Sequence, residues 1–209
     1  MTENIRNIYC VGRNYGKHAA ELGNAVPETP MIFMKPSHAA IPMEGGALAL
    51  PSGFGSVHYE AEMVVRIGRS YEPGIALEEL LADFALGLDL TLRDVQSELK
   101  EKQQPWLKSK GFFGSAPLTA FRPLPALETL TSTEFSLNIN RRERQRGRLA
   151  DAIFDLSVLT AHIGGHYGLA AGDLIFTGTP DGVGELHDGD SLELFWADTP
   201  DGSGTVTLK

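Results

Sequence analysis

The stretch HYEAEMVV, His58–Val65, decides how the chain is read. It lies within VHYEAEMVVRIG, whose β-branched and apolar content predicts the strongest strand of the sequence. Side chains alternate across a strand, which places Glu60 and Glu62 on one face and Tyr59, Ala61 and Met63 on the other. Such carboxylates sit roughly 7 Å apart at the backbone. At an effective dielectric near 20 their repulsion is about 2 kcal/mol. A segment that otherwise reads as buried tolerates this only if something positive stands on the glutamate face.

Around this strand the pattern is of many short strands and few helices. NIYCVGRNY reads as a strand entering a turn, YGKHAAELG as a brief helix stopped by Gly23, and PMIFMKP as a strand between Pro30 and Pro36. The segment from Ala39 to Ser56 reads as short strands and loops. ALEELLADFALGLDL starts as an amphipathic helix and turns to strand near Gly87, and RDVQSELKEKQ is a surface helix with Thr91 as its cap. The segment from Leu107 to Pro125 reads as loop. EFSLNINRRERQRGRLADAIF predicts strand, turn and strand, and DLSVLTAHIGGHYGL predicts a helix to about Ile163. DLIFTGTPDGVG is a strand running into a glycine-rich loop, while SLELFW and GTVTLK form a closing antiparallel pair. With no regular βαβ alternation, a doubly wound sheet is excluded in favour of a β-rich α+β fold.

The 209 residues fit a single domain, 1–209, and 42% hydrophobic content supplies an ordinary core. A net charge of −9 argues against nucleic acid or an anionic membrane as a partner bound through bulk charge. The lone Cys10 forms no internal disulfide, and no Cys/His cluster suggests structural zinc. The N-terminal stretch lacks a signal-peptide core and no apolar run reaches spanning length, so the expectation is a cytoplasmic protein.

Several residues could carry chemistry. Asp89 is the one charge in the apolar run ALGLDLTL, and a buried carboxylate is costly unless paired or bound to a cation. If Glu60, Glu62 and Asp89 converge, they make an oxygen-rich site for Mg²⁺ or Mn²⁺ rather than zinc. The competing reading gives each glutamate a surface Lys or Arg and makes Asp89 a turn cap. His18 and Glu21, three apart on a helix, fit a general base with its orienting carboxylate, or simply a surface charge pair. Arg93 and Gln96 share the face of one helical turn after Asp89, where a substrate carboxylate could dock. Lys108 and Lys110 alternate on an extended segment, one inward and one solvated. The loop TGTPDGVG, with Thr177 and Thr179, can present N–H groups and a hydroxyl to an anion but lacks the P-loop ending.

The motifs CVGRNYGKHAAELG, FMKPS, VHYEAEMVVRIG, LGLDLTLRDVQ, PWLKSKGFFGSAPL and GDLIFTGTPDGVG stand in the order seen in the fumarylacetoacetate hydrolase family. The resemblance spans Ile8 to Val206 and is to the short, single-domain, acylpyruvase-like members. It implies a mixed β-sheet roll with a few short helices, assembled as a homodimer. It implies that Glu60, Glu62 and Asp89 bind Mg²⁺ or Mn²⁺, which would answer the opening question. It further implies that Lys110 is the lysine near the metal, that His18 and Glu21 form a catalytic dyad, and that Arg93, Gln96 and Thr179 contact substrate. The implied reaction is cleavage of a 2,4-dioxo acid to pyruvate and a carboxylic acid. Oxaloacetate decarboxylation and enol–keto tautomerisation are alternatives on the same site. Tyr59 stands where relatives often carry a histidine, and Arg141 where a glycine would ease a tight turn.

Overall fold

The largely buried run IYCVG forms β1 (Ile8–Gly12), which pairs antiparallel with β2 (Met31–Lys35) and parallel with β13 (Leu174–Phe176). The computed structural model describes residues 5–16 and 27–209. The predicted helix carrying His18 and Glu21 lies outside the described residues. From β13 the sheet continues antiparallel through β6 (Ala61–Ile67), β7 (Leu81–Leu88) and β9 (Ala116–Leu118), and ends in a parallel pairing of β9 with β3 (Ala40–Pro42). The short β10 (Arg122–Pro123) adds to β7. This is a curled mixed sheet, and the fold is β-rich α+β as the sequence predicts.

A second sheet runs β12 (Arg142–Gly147), β11 (Phe135–Ile139), β15 (Ser191–Trp196), β16 (Thr199–Leu208) and β4 (Glu44–Leu50). A third joins β14 (Gly184–Glu185), β5 (Val57–Tyr59) and β8 (Thr91–Leu92). The core is shared between the two larger sheets, with Met63, Leu86, Leu137, Leu194 and Val206 all buried in one cluster. Cys10 lies in the core, as expected of a thiol in an apolar strand, and burial raises its pKa. Helices among the described residues are short: α1 (Leu77–Leu80), α2 (Arg93–Glu101), α3 (Leu107–Lys110), α4 (Leu127–Ser132) and α5 (Leu156–His166). None is long and apolar enough to cross a membrane.

Several local expectations are corrected. The segment ALEELLADFALGLDL is helical for one turn only, and the strand begins at Leu81 rather than near Gly87. Its apolar rhythm suits either element, and pairing with β6 over Ala61–Ile67 decides for strand. Thr91 does not cap α2; its hydroxyl donates to the Asp89 carbonyl at 3.3 Å, and the residue before the helix is Leu92. The stretch from Leu107 is not all loop: α3, β9 and β10 occupy parts of it. Helix α5 runs to His166, one turn past the predicted end, its start capped by Asp155 accepting from the Val158 N–H at 2.9 Å.

The hairpin between β11 and β12 is tight although it lacks glycine. Ile139 pairs with Arg142, and Asn140 and Arg141 both take positive φ, 52° and 65°. Those angles fit a type I′ turn, in which a β-carbon costs about 1 kcal/mol. Arg141→Gly is therefore expected to stabilise the protein by roughly 0.5–1 kcal/mol, read as a higher urea midpoint at unchanged slope. A lower midpoint would mean that Arg141 is held by contacts rather than tolerated.

Candidate metal centre

The opening strand is interrupted where it matters. β5 ends at Tyr59 and β6 begins at Ala61, because β5 pairs with β14 and β8 while β6 pairs with β13 and β7. Glu60 is thus a junction between sheets, not the middle of one strand face. The backbone between the two glutamates is pinned from outside: the Ala61 N–H donates to Gln145 Oε1 at 2.8 Å, and the Ala61 carbonyl accepts from the Thr179 hydroxyl at 2.9 Å. Gln145 Nε2 completes the clamp, donating to Thr179 Oγ1 at 2.8 Å.

Asp89 follows directly on β7, and its N–H donates to the Glu60 carbonyl at 2.8 Å. Glu60, Glu62 and Asp89 are all buried, and each offers an oxygen within 4.8 Å of the others'. Repulsion inside this cluster is offset unequally. Lys110 Nζ donates to Glu60 Oε2 at 2.8 Å and Asp89 Oδ2 at 2.6 Å. Arg93 reaches Glu60 Oε1 at 2.5 Å and the Gln96 side-chain oxygen at 2.7 Å. Lys35, also buried, faces Asp89 Oδ1 at 2.8 Å and donates to the Leu90 carbonyl, the Lys110 carbonyl and Ser115 Oγ.

Among the described residues Glu62 has no cation at bonding distance; it accepts the Gly178 N–H at 2.7 Å. Gly178 sits at φ 99°, and a β-carbon there would lie 2.7 Å from Asn14 Cβ, so only glycine brings this N–H to the carboxylate. Burial foremost, then Asp89 and Glu60, raise the Glu62 pKa well above the usual carboxylate range. Burial disfavours the Lys110 charge, but Asp89 and Glu60 outweigh it and raise the Lys110 pKa. Lys110 is therefore an ammonium, not a base.

Three buried carboxylates are hard oxygen donors of the kind that suit a divalent ion such as Mg²⁺ or Mn²⁺. The residues present fit that group.

The structure thus brings Glu60, Glu62, Asp89, Lys110, Arg93, Gln96 and Thr179 to one cleft. Lys108 and Lys110 lie on the one-turn α3, not on an extended segment, with Lys110 buried and Lys108 exposed. The Thr179 hydroxyl and the Gly178 N–H are spent inside the protein, so the loop does not present them to an anion as the sequence suggests. Lys35 and Gln145 were not singled out by the sequence reading. A lysine ending the apolar strand MIFMK is a readable hint of a buried cation. Gln145, flanked by arginines in an exposed-looking hairpin, gives no hint. The arginines around it are paired outward: Arg146 with Glu134, Glu143 and Asp198, and Arg148 with Asp151.

A β-rich mixed-sheet fold that converges three buried carboxylates and several cations on one cleft has the donor set to hold a hard divalent cation. The chain belongs to the fumarylacetoacetate (FAA) hydrolase C-terminal family, matched over residues 7–207. It is 43% identical over 195 residues to the oxaloacetate tautomerase YcgM of Escherichia coli, covering 91% of this chain and 88% of that one. It is 38% identical over 190 residues to a mitochondrial oxaloacetate tautomerase of Rattus norvegicus, covering 90% and 86%. Among solved structures, fumarylpyruvate hydrolase from Pseudomonas aeruginosa, in complex with Mn²⁺ and pyruvate, superimposes with a TM-score of 0.90 at 35% identity, covering 98% and 91%.

Proposed function

We propose that the protein interconverts the enol and keto forms of a 2-oxo acid of the oxaloacetate type. The observation that carries this reading is the Lys110 ammonium, buried between Glu60 and Asp89 and 4.9 Å from the Phe33 ring centroid, at the cleft where a 2-oxo acid would sit. Enol–keto exchange needs negative charge stabilised on the C2 oxygen while a proton moves at C3. Its raised pKa keeps Lys110 charged for that task. Arg93 holds Glu60 with one nitrogen and Gln96 with another, while its buried Nε–H has no partner among the described residues. Arg93 lines the cleft beside Gln96, and its guanidinium would face a substrate carboxylate there. Mg²⁺ or Mn²⁺ held by Glu60, Glu62 and Asp89 would supply Lewis-acid polarisation of the 2-oxo group. The similarity to two oxaloacetate tautomerases supports the same choice.

A second reading, hydrolysis of an acylpyruvate to pyruvate and a carboxylic acid, is favoured by similarity to the fumarylpyruvate hydrolase. It is also favoured by the helical spacing of His18 and Glu21, which suits water activation. The two readings separate in one assay on Mg²⁺-loaded protein: enol–keto conversion and CO₂ release from oxaloacetate beside pyruvate release from acetylpyruvate. Fast oxaloacetate conversion without acylpyruvate cleavage is the expected result. Pyruvate release that His18→Ala abolishes would reverse the order of the two readings.

A further inference from the structure

The cleft contains two cations that no role above uses. Arg93, Gln96 and Lys100 follow at spacings of three and four on α2 and share one face, and all three line the cleft. Lys100 stands about 10 Å along the helix axis from Arg93, and helical side chains lean back toward the N-terminus. Its reach is therefore back toward the carboxylate cluster. Its ammonium lies over Trp106, with Nζ 5.4 Å from the ring centroid. Arg13 comes from a different element, the turn after β1, and lines the same cleft at a left-handed φ of 59°.

Among the described residues neither Arg13 nor Lys100 makes an ion pair, whereas Arg66, Arg69, Arg122, Arg146 and Arg148 all do. Burial foremost, then the Arg93 and Arg13 charges, lower the Lys100 pKa. A chain of net charge −9 has ample carboxylates to quench them, yet among the described residues none pairs with either. Deeper in, Lys35, Lys110 and Arg93 pair with Glu60 and Asp89, and with Glu62 counted the formal charges of the cluster balance before a divalent cation adds two. A dianion balances that excess, and its second negative charge needs a partner away from the cluster.

We infer that Arg13 and Lys100 form a recognition site for the distal carboxylate of the substrate, selecting dicarboxylic 2-oxo acids over monocarboxylic ones. This inference rests on the proposed 2-oxo acid chemistry for the position of the proximal end, and it deepens that reading by assigning the substrate's charge to two residues.

The test uses inert ligands, so it does not depend on which reaction the enzyme performs. Malate and lactate share a 2-hydroxy acid end and differ in the distal carboxylate. Their affinities for Mg²⁺-loaded protein are measured by calorimetry, for the wild type and for Arg13→Asn/Lys100→Met. Asparagine tolerates the left-handed φ, and methionine keeps an apolar stem without the charge. The wild type is expected to bind malate about 10–100-fold tighter than lactate, as one desolvated charge-assisted contact provides. In the double variant that ratio should collapse toward one, with lactate affinity unchanged. No malate preference in the wild type, a preference that survives the double substitution, or equal weakening of both ligands would each overturn the inference. A malate preference that depends on the two residues in a protein that leaves oxaloacetate unconverted would instead overturn the tautomerase reading and leave this one standing.

Discussion

Glu62→Gln is expected to abolish metal-dependent turnover and, at the same time, to raise the stability of the metal-free protein at neutral pH. The two effects have one cause. Glu62 is 2% exposed, has the Gly178 N–H as its one hydrogen-bond partner among the described residues, and feels Asp89 and Glu60. Its pKa in the folded state is raised, so over the window between the unfolded carboxylate value and the folded one the native state holds more protons than the unfolded chain. Stability from this group therefore falls as pH rises through that window, the reverse of an ordinary paired carboxylate. Glutamine keeps the shape, can still accept from Gly178, and removes the charge. The melting temperature of the metal-free variant should exceed that of wild type by a margin that widens as pH rises. In a chain of this length each kcal/mol moves Tm by about 2–4 °C.

Adding Mg²⁺ should stabilise the wild type, increasingly at higher pH as Glu62 gives up its proton, and should do little for the variant. Loss of Lewis-acid assistance, worth several kcal/mol, corresponds to a fall in turnover of about 10³-fold or more. Calorimetric melting across pH, with and without Mg²⁺, checks both halves. A variant less stable than wild type at neutral pH would show that Glu62 is already compensated in the metal-free protein.

Lys110→Met should move stability the opposite way within the same cluster. The ammonium is the cation shared by Glu60 and Asp89, at 2.8 and 2.6 Å. Removing it leaves two buried carboxylates facing each other, with Arg93 on one and Lys35 on the other. Breaking one partner out of a buried ionic cluster typically costs about 3–5 kcal/mol. The metal-free variant is therefore expected to melt well below wild type, and Mg²⁺ should stabilise it by more than it stabilises wild type, since the ion now meets uncompensated carboxylates. Restored folding should not restore catalysis. Losing one pre-organised donor at a developing oxyanion costs about 10²–10³ in kcat. Full kcat at saturating Mg²⁺ would reduce Lys110 to a structural counter-ion and remove the main support of the proposed reaction.

Much of the carboxylate cluster was legible before any coordinates. Two glutamates spaced by one residue, and an aspartate isolated in an apolar run, violate the pattern of a buried segment strongly enough to mark themselves. Arg93 and Gln96 were legible because helical spacing is a local property, and the spacing rule held even where the predicted cap, Thr91, did not. The helix expected to run toward Gly87 failed for a corresponding reason. LLADFALGL satisfies either period, and the choice fell to cross-strand partners that a local window does not contain.

The sequence by itself thus determined the fold class, the oxygen-rich chemistry of the centre and the helix face that borders it, because each follows from local periodicity and from the cost of burying charge. The tertiary structure alone decided how that charge is shared. It broke the glutamate strand at Glu60 by drawing its halves into different sheets. It brought Lys35 from β2 onto Asp89, and Gln145 from an arginine-rich hairpin onto Ala61. Among the described residues it left Glu62 without a bonded cation and Arg13 and Lys100 without a paired anion. Those are pairings between residues tens of positions apart, set by sheet order and register, and electrostatic energy depends on such distances in space rather than on separation along the chain.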